Sequence, residues 1–182
     1  MSSYNSFAKK RLRVSWAIFM LQFPLYLIAK ITPKKQITIY GSMNGFRIAD
    51  NSKYHYLHNS TASKYFILKD KNYVETAKIA GFNAVYCYSL KGIWLQLIAY
   101  KVFWTHGMRD FIPFLIAGSI VVGLQHGAPI KKGGRERELH SFKNSNSTIK
   151  KLKFKIRNLL YQIAPYTNNQ HCNITICGEE KF

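Results

Sequence analysis

Acidic side chains are scarce in this chain: 8 Asp and Glu stand against 27 Lys and Arg in 182 residues, a net charge of +19. The excess is spread out, +7 over residues 1–36, +5 over 37–130 and +7 over 131–182. A surface so unbalanced seeks polyanions: nucleic acid, anionic lipid or a phosphate-rich substrate. Cysteine is also scarce. Cys87, Cys172 and Cys177 are odd in number and form no C-x-x-C pair, which argues against a disulfide framework or a zinc site and fits a reducing cytosol. Nor is there an apolar run of the roughly 20 residues a bilayer span requires. What is abundant is apolar and aromatic matter, 47% and 15% of the chain, enough for one globular domain with a real core and too much for a disordered tail.

The longest apolar stretch, Val14 to Ala29, has sixteen residues, is interrupted by Pro24, and lies between Lys9, Lys10, Arg11 and Arg13 on one side and Lys30, Lys34 and Lys35 on the other. Positive charge on both flanks sets no orientation across a membrane, and no small-residue cleavage site follows. Residues 1–35 therefore read as an anchor lying on the cytoplasmic leaflet. Trp16 sits at headgroup depth and Lys9, Lys10, Arg11 and Arg13 meet anionic lipid; a single span and an ordinary core helix are the competing readings.

Beyond Pro33 short β-rich runs alternate with helix-compatible segments, which predicts α/β architecture with a parallel sheet. Strands are expected at Ile37–Tyr40, Tyr65–Leu68, Ala84–Tyr88, Val102–Thr105 and Ile120–Leu124. Helices are expected at Lys53–Ser63, Val74–Ala80, Leu90–Lys101 and Arg109–Ala117. This is a five-stranded Rossmann-like domain over residues 36–132. Residues 133–148 are polar and rich in Ser, Asn and Gly, and read as a flexible loop. In residues 149–182, Ile149, Leu152, Ile156, Leu159, Leu160 and Ile163 recur at helical spacing among Lys150, Lys151, Lys153, Lys155 and Arg157, a second basic amphipathic helix that suits a membrane surface or packing on the domain.

The chemistry concentrates after two strands. Gly41-Ser42-Met43-Asn44-Gly45 follows the first and offers backbone N–H groups to an anion, or simply a tight turn; it matches neither G-x-G-x-x-G nor a Walker A loop. Asp50-Asn51-Ser52 reads as a helix N-cap, with a substrate role for Asp50 or Asn51 as the alternative. After the fifth strand comes Gln125-His126-Gly127-Ala128-Pro129-Ile130-Lys131-Lys132. His126 is a candidate base, Gly127 lets a substrate approach the backbone, and Lys131 and Lys132 bring charge to phosphate oxygens. His106, at the end of the preceding strand, is equally a second substrate contact or a core or capping residue. His55 and His58 have no acidic or Cys partner nearby, so no metal or other cofactor is expected. No nucleophile elbow appears, and no RRM, KH or helix-turn-helix pattern points to nucleic acid.

Taken in order, Ile39-Tyr40-Gly41-Ser42 to Gly45, Asp50-Asn51-Ser52-Lys53-Tyr54 and Gln125 to Lys132 resemble the N-terminal half of the CDP-glycerol:poly(glycerophosphate) glycerophosphotransferase family, the teichoic-acid and capsule polyol-phosphate polymerases of bacteria. The last segment is similar to that family's Trp-His-Gly-Thr-Pro-Leu-Lys signature, with Gln125 for Trp and Ala128 for Thr. The resemblance spans about residues 15 to 182. It implies one half of a GT-B architecture, peripheral attachment to the cytoplasmic face of the cell membrane, and transfer of a polyol phosphate from a CDP-activated polyol donor to a polyol-phosphate polymer acceptor with release of CMP. His126 would be the base, Gly41, Ser42, Asp50 and Asn51 would lie on the acceptor side, and Lys131 near the anionic substrates. The family's cytidine-gripping half would begin with Asn173 to Gly178, so the chain is expected to be a truncated transferase that cannot close a donor site alone. A non-catalytic membrane-bound interaction protein of the same descent is the alternative, and a basic nucleic-acid-binding module the weakest.

Overall fold

The computed structural model describes residues 22–124, 142, 147–168 and 171–176. Six strands form one all-parallel sheet: β1 (Lys35–Tyr40), β2 (Lys64–Leu68), β3 (Ala84–Tyr86), β4 (Ala99–Trp104), β5 (Ile120–Leu124) and β6 (Ile174–Ile176). Their order is β3-β2-β1-β4-β5-β6, a Rossmann-like arrangement in which the chain winds outward from β1 in one direction and then, from β4, in the other. The central strands are near-continuous apolar runs because helices cover both faces. The edge strands β3 and β6 are the shortest, three residues each, which limits the unpaired edge.

Helix α1 covers residues 22–31, and α2 (Asp50–His58), α3 (Lys71–Ile79), α4 (Leu90–Ile98) and α5 (Thr148–Ile163) follow. On one face Ile39, Ile67, Val102, Trp104 and Val121 pack against Leu95 of α4 and against Met108, Phe111 and Ile116. On the other, Tyr40, Phe66, Phe103 and Val122 pack against Tyr56 of α2, and Leu68 and Ala84 against Val74 and Ala77 of α3. The starts of α3 and α4 follow from side-chain oxygens. Asp70 Oδ1 accepts from the Asn72 and Tyr73 amides at 3.0 and 3.3 Å, and Ser89 Oγ from Gly92 N at 3.0 Å.

Three expectations are corrected. The helix expected at Arg109–Ala117 is absent: Met108–Asp110 forms one 3-10 turn and residues 113–118 are turns. Pro113 cannot donate to a helical ladder and pushes Ile112 out of helical geometry, and the Ile112 amide is taken by Gln96 Oε1 at 2.8 Å. The helix expected at Lys53–Ser63 ends at His58. Asn59 takes the amide and hydroxyl of Thr61 at 3.0 and 2.8 Å and donates to the Tyr40 hydroxyl at 2.6 Å, so the chain turns there. The sheet has six strands where five were expected: Ile174–Ile176 pairs with β5 in register Val122↔Ile174.

The buried amide of Gln96 was not foreseen. Its Nε2 donates to Cys87 O and Gly92 O at 3.1 and 3.0 Å, and its Oε1 accepts from Ile112 N at 2.8 Å, stitching α4 to the end of β3 and to the turn region after Asp110. Tyr26 of α1 packs at a tilt against Tyr166, ring centroids 5.0 Å apart, with Ala164, Phe114 and Ala117 around them. The part of the expected anchor that is described thus docks on the domain through Tyr26 and the buried Ala29, while Leu25, Leu27, Ile28 and Ile31 stay exposed. Helix α5 likewise exposes Ile149, Leu152, Ile156, Leu159 and Ile163. Among the described residues no helix is long and apolar enough to cross a membrane.

Candidate active site

In a doubly wound sheet, the loops leaving two adjacent strands diverge at the point where the strand order reverses, and the crevice between them accepts ligands. Here that point lies between β1 and β4, so the loop Gly41–Gly45 and the turn Thr105–Asp110 face each other. Their approach is close. A Cβ on Gly41 would lie 2.5 Å from Asp110 Cβ and 2.8 Å from Phe111 Cζ, and Gly45, at φ +87°, would meet the Asp110 carbonyl at 2.9 Å. Any side chain at either position would force the two loops apart.

The loop after β1 is strained as well as tight. Met43 and Asn44 hold φ of 51° and 57°, and Asp50, opening α2, holds 54°. Left-handed backbone at three non-glycine residues costs energy that the surroundings must supply. Ser42 contributes to that support: buried, it donates its hydroxyl to Arg47 O and accepts from Ala49 N at 3.1 Å. Ser52 donates to Gly41 O at 2.9 Å, tying α2 to the end of β1. Both hydroxyls thus hold the loop together.

His106 is the side chain around which the crevice converges. Its Nδ1 accepts from the Met43 amide at 3.1 Å, lies 3.0 Å from Thr105 Oγ1, and is 3.9 Å from the Asp50 carboxylate. Asp50 therefore reaches across to the turn after β4 rather than capping its own helix, and it stays more than a third exposed. Beneath this group Asp110 is fully buried. Its Oδ2 accepts the Thr105 and His106 amides at 3.3 and 3.4 Å, while its Oδ1 has no hydrogen-bond partner. Burial pushes the carboxyl up to about 6, against the pull of backbone N–H groups from His106, Thr105 and Asn44 and of the Lys69 charge. Lys69 donates to Arg109 O at 2.6 Å and its own amide to Gly45 O at 2.6 Å; burial lowers its pKa.

Of the residues singled out in the sequence, Gly41, Ser42, Asp50 and Asn51 thus stand at this edge of the sheet, Asn51 exposed on the first turn of α2. Gly41 and Ser42 build the loop, and Asp50 presents a carboxylate to the crevice. His126, Gly127 and Lys131, like Lys9, Lys10, Arg11, Arg13 and Trp16, lie outside the described residues. β5 ends at Leu124, on the edge where β1 and β4 end, directly before Gln125 and His126. Asp110 and Lys69 were missed: the first was hidden inside an expected helix, the second in a plain strand-to-helix connection. The signal for both was available only through strand order, because both become neighbours of Gly45 once β4 lies beside β1. His55 is elsewhere, its ring tilted against Phe103 at 4.3 Å with its Nδ1 3.0 Å from the Tyr40 hydroxyl, and burial lowers its pKa. No three His, Cys, Asp or Glu among the described residues could hold a metal ion.

No family model, curated protein or solved structure matches the chain.

Proposed function

We propose that this chain is the acceptor-side domain of a polyol-phosphate transferase resembling the CDP-glycerol:poly(glycerophosphate) glycerophosphotransferases, working at the cytoplasmic face of a bacterial membrane on a teichoic-acid or capsular polymer. The observation that carries the reading is the meeting of the first two resembling segments at the sheet edge on which β5 also ends. Gly41–Gly45 and Asp50 meet His106 at the β1/β4 reversal, and β5 stops at that edge at Leu124, just before Gln125-His126-Gly127.

In this reading His126 takes the proton of an acceptor hydroxyl as its oxygen bonds to the β-phosphorus of the CDP-polyol. The phosphorus–oxygen bond to CMP breaks, and CMP departs with the bridging oxygen. Lys131 and the basic surface neutralise the phosphates, the main demand phosphoryl transfer makes on a protein. Gly41 and Ser42 shape the acceptor wall, and Asp50 and Asn51 stand where acceptor hydroxyls arrive.

The membrane part rests on charge and exposed apolar surface together. Leu152, Ile156 and Leu159 of α5 are exposed in a helix that carries Lys151, Lys153, Lys155 and Arg157 and no acidic residue. Anionic lipid satisfies both features. The same exposed faces favour a second reading, a membrane-bound interaction protein without turnover. CMP release from CDP-glycerol, measured with anionic vesicles and a glycerol-phosphate oligomer, separates the two. Turnover that falls about two to four powers of ten in a folded His126→Ala variant supports the transferase. Vesicle binding with no CMP release, alone or with added cytidylyl-binding partner domains, supports the interaction protein.

A further inference from the structure

A helix on the outside of an α/β domain turns its polar side to water, and α3 does so with Lys71, Asn72, Glu75 and Lys78 exposed. Helix α4 does the reverse. Gly92, Leu95, Gln96 and Ile98 are buried, while Leu90, Ile93 and Trp94, one turn apart, are 89%, 36% and 52% exposed, with half-buried Leu97 one turn further on. A helix apolar on every side is ordinarily covered on every side. The apolar surface continues from α4 towards α1. Lys34, just past α1, donates to Leu97 O at 2.7 Å, and a Cβ on Gly118 would lie 3.0 Å from Lys30 O. Leu95 packs with Phe111 and Ile116, and Tyr26 with Phe114 and Ala117, so α4 and α1 flank the segment 111–118 on one face of the sheet. That segment holds no polar side chain, and Ile112, Pro113 and Phe114 are half-buried in it. Leu27, Ile28 and Ile31 of α1 are exposed. The exposed charges of the two helices are Lys30 and Lys91, and neither the helices nor the segment between them contains an acidic residue. Asp50, Asp70 and Glu75 belong to the starts or turns of α2 and α3, on the opposite face.

We infer that the α4–α1 face rests on an anionic lipid bilayer, with Leu90 and Trp94 entering the interface and Lys30 and Lys91 meeting lipid phosphates. An apolar ridge with basic flanks and no acidic residue is the pattern of an interfacial contact, and an indole ring settles at headgroup depth. A second copy of the chain is the other general way to cover such a ridge. A two-fold contact would set this basic face against itself in a chain of net charge +19, whereas anionic lipid neutralises it. Helix α4 lies outside residues 1–35 and α5, the segments whose sequences suit a membrane, so it adds a contact and sets an orientation. With this face down, the sheet lies parallel to the bilayer and the crevice at the ends of β1 and β4 opens along the membrane. The inference rests on the proposed function for attachment to a membrane and not for turnover.

The test is tryptophan fluorescence with vesicles of phosphatidylglycerol and brominated phosphatidylcholine in equal parts. In a Trp16→Phe protein the emitters are Trp94 and the buried Trp104. The brominated lipid should quench this protein, and the quenching should disappear when Trp94→Phe is added. Vesicles of brominated phosphatidylcholine alone should quench it much less. In the otherwise native chain, Trp94→Glu should weaken sedimentation with the anionic vesicles about tenfold, the worth of covering one half-exposed large side chain. Emission from Trp94 that no vesicle quenches, or equal quenching by neutral vesicles, overturns the assignment. So does a dimer seen by light scattering without lipid and lost in Trp94→Glu. The quenching result decides even if Trp94→Glu fails to fold. Quenching at Trp94 in a protein that never releases CMP would overturn the transferase reading and leave this one standing, whereas CMP release by vesicle-bound protein with Trp94 unquenched would do the reverse.

Discussion

Replacing Asp110 by Asn should make the protein more stable at neutral pH and slightly less stable in acid. The carboxyl is raised from 3.8 to about 6, chiefly because burial disfavours its charged form. Below about pH 4 it is protonated in the folded and unfolded chains alike and costs nothing. Between about pH 4 and 6 the unfolded chain releases its proton while the folded one retains it, so stability falls as pH rises, and above about pH 6 the loss is complete. A shift of about two units at 1.36 kcal/mol per unit makes that loss about 3 kcal/mol. Asparagine keeps an oxygen for the Thr105 and His106 amides and puts an NH2 where Oδ1 has no partner. Leaving that NH2 unsatisfied takes back about 1 kcal/mol, for a net gain of about 2 kcal/mol. Urea denaturation of both proteins at pH 4 and pH 8 measures it: the Asp110→Asn midpoint should lie slightly below the parent's at the lower pH and above it at the higher. A difference independent of pH, or a less stable variant at pH 8, would refute the reasoning. If it holds, the native carboxylate is retained at a cost in stability, as expected where a group serves a site.

Gln96→Leu should cost about 2–3 kcal/mol in the same denaturation assay. It strands the Ile112 amide and the Cys87 carbonyl in the core, and an unchanged midpoint would show that water reaches them. Gly41→Ala should lower stability by about 1–3 kcal/mol, because its methyl would meet Asp110 Cβ at 2.5 Å. It should also disturb the amide signals of Thr105 and His106, and a variant as stable as the parent would mean that the two loops can separate freely.

The sheet was legible because its central strands are short apolar runs with helix-length spacers, a pattern that local chemistry alone imposes. Lys64–Leu68, Ala84–Tyr86 and Ile120–Leu124 lie within a few residues of their expected limits. The helix at Arg109–Ala117 was misread because Phe111, Phe114, Leu115 and Ala117 mimic an amphipathic spacing. What decides the matter is that Pro113 interrupts the ladder and that the Ile112 amide is captured by Gln96 of the neighbouring helix. Asp50 was placed on the right edge for the wrong reason. Asp-Asn-Ser before a helix signals a cap, yet the carboxylate meets a histidine 56 positions further along the chain, a contact fixed by β4 lying beside β1. Gln96 had no signal at all, since a single Gln in an apolar helix reads as its solvent side until the turn region after Asp110 is folded over it.

The energetic costs of this domain are not distributed evenly. Met43, Asn44 and Asp50, the three non-glycine residues with positive φ among the described residues, all lie on the chain between the end of β1 and the first turn of α2. The carboxylate of Asp110, charged at neutral pH against its burial, lies directly beneath them. Glycine would relieve the strain at each of the three, at about 1–3 kcal/mol apiece, and a neutral isostere would relieve Asp110. Stability alone therefore favours none of these residues. At Asp50 the side chain that glycine would remove is the carboxylate that lies 3.9 Å from His106, and at Met43 the strained turn sets the amide that donates to His106 Nδ1. Strain and buried charge thus fall where the Met43 amide, His106 and the Asp50 carboxylate come together at one crevice, and the rest of the sheet, with its paired amides and apolar faces, bears the cost.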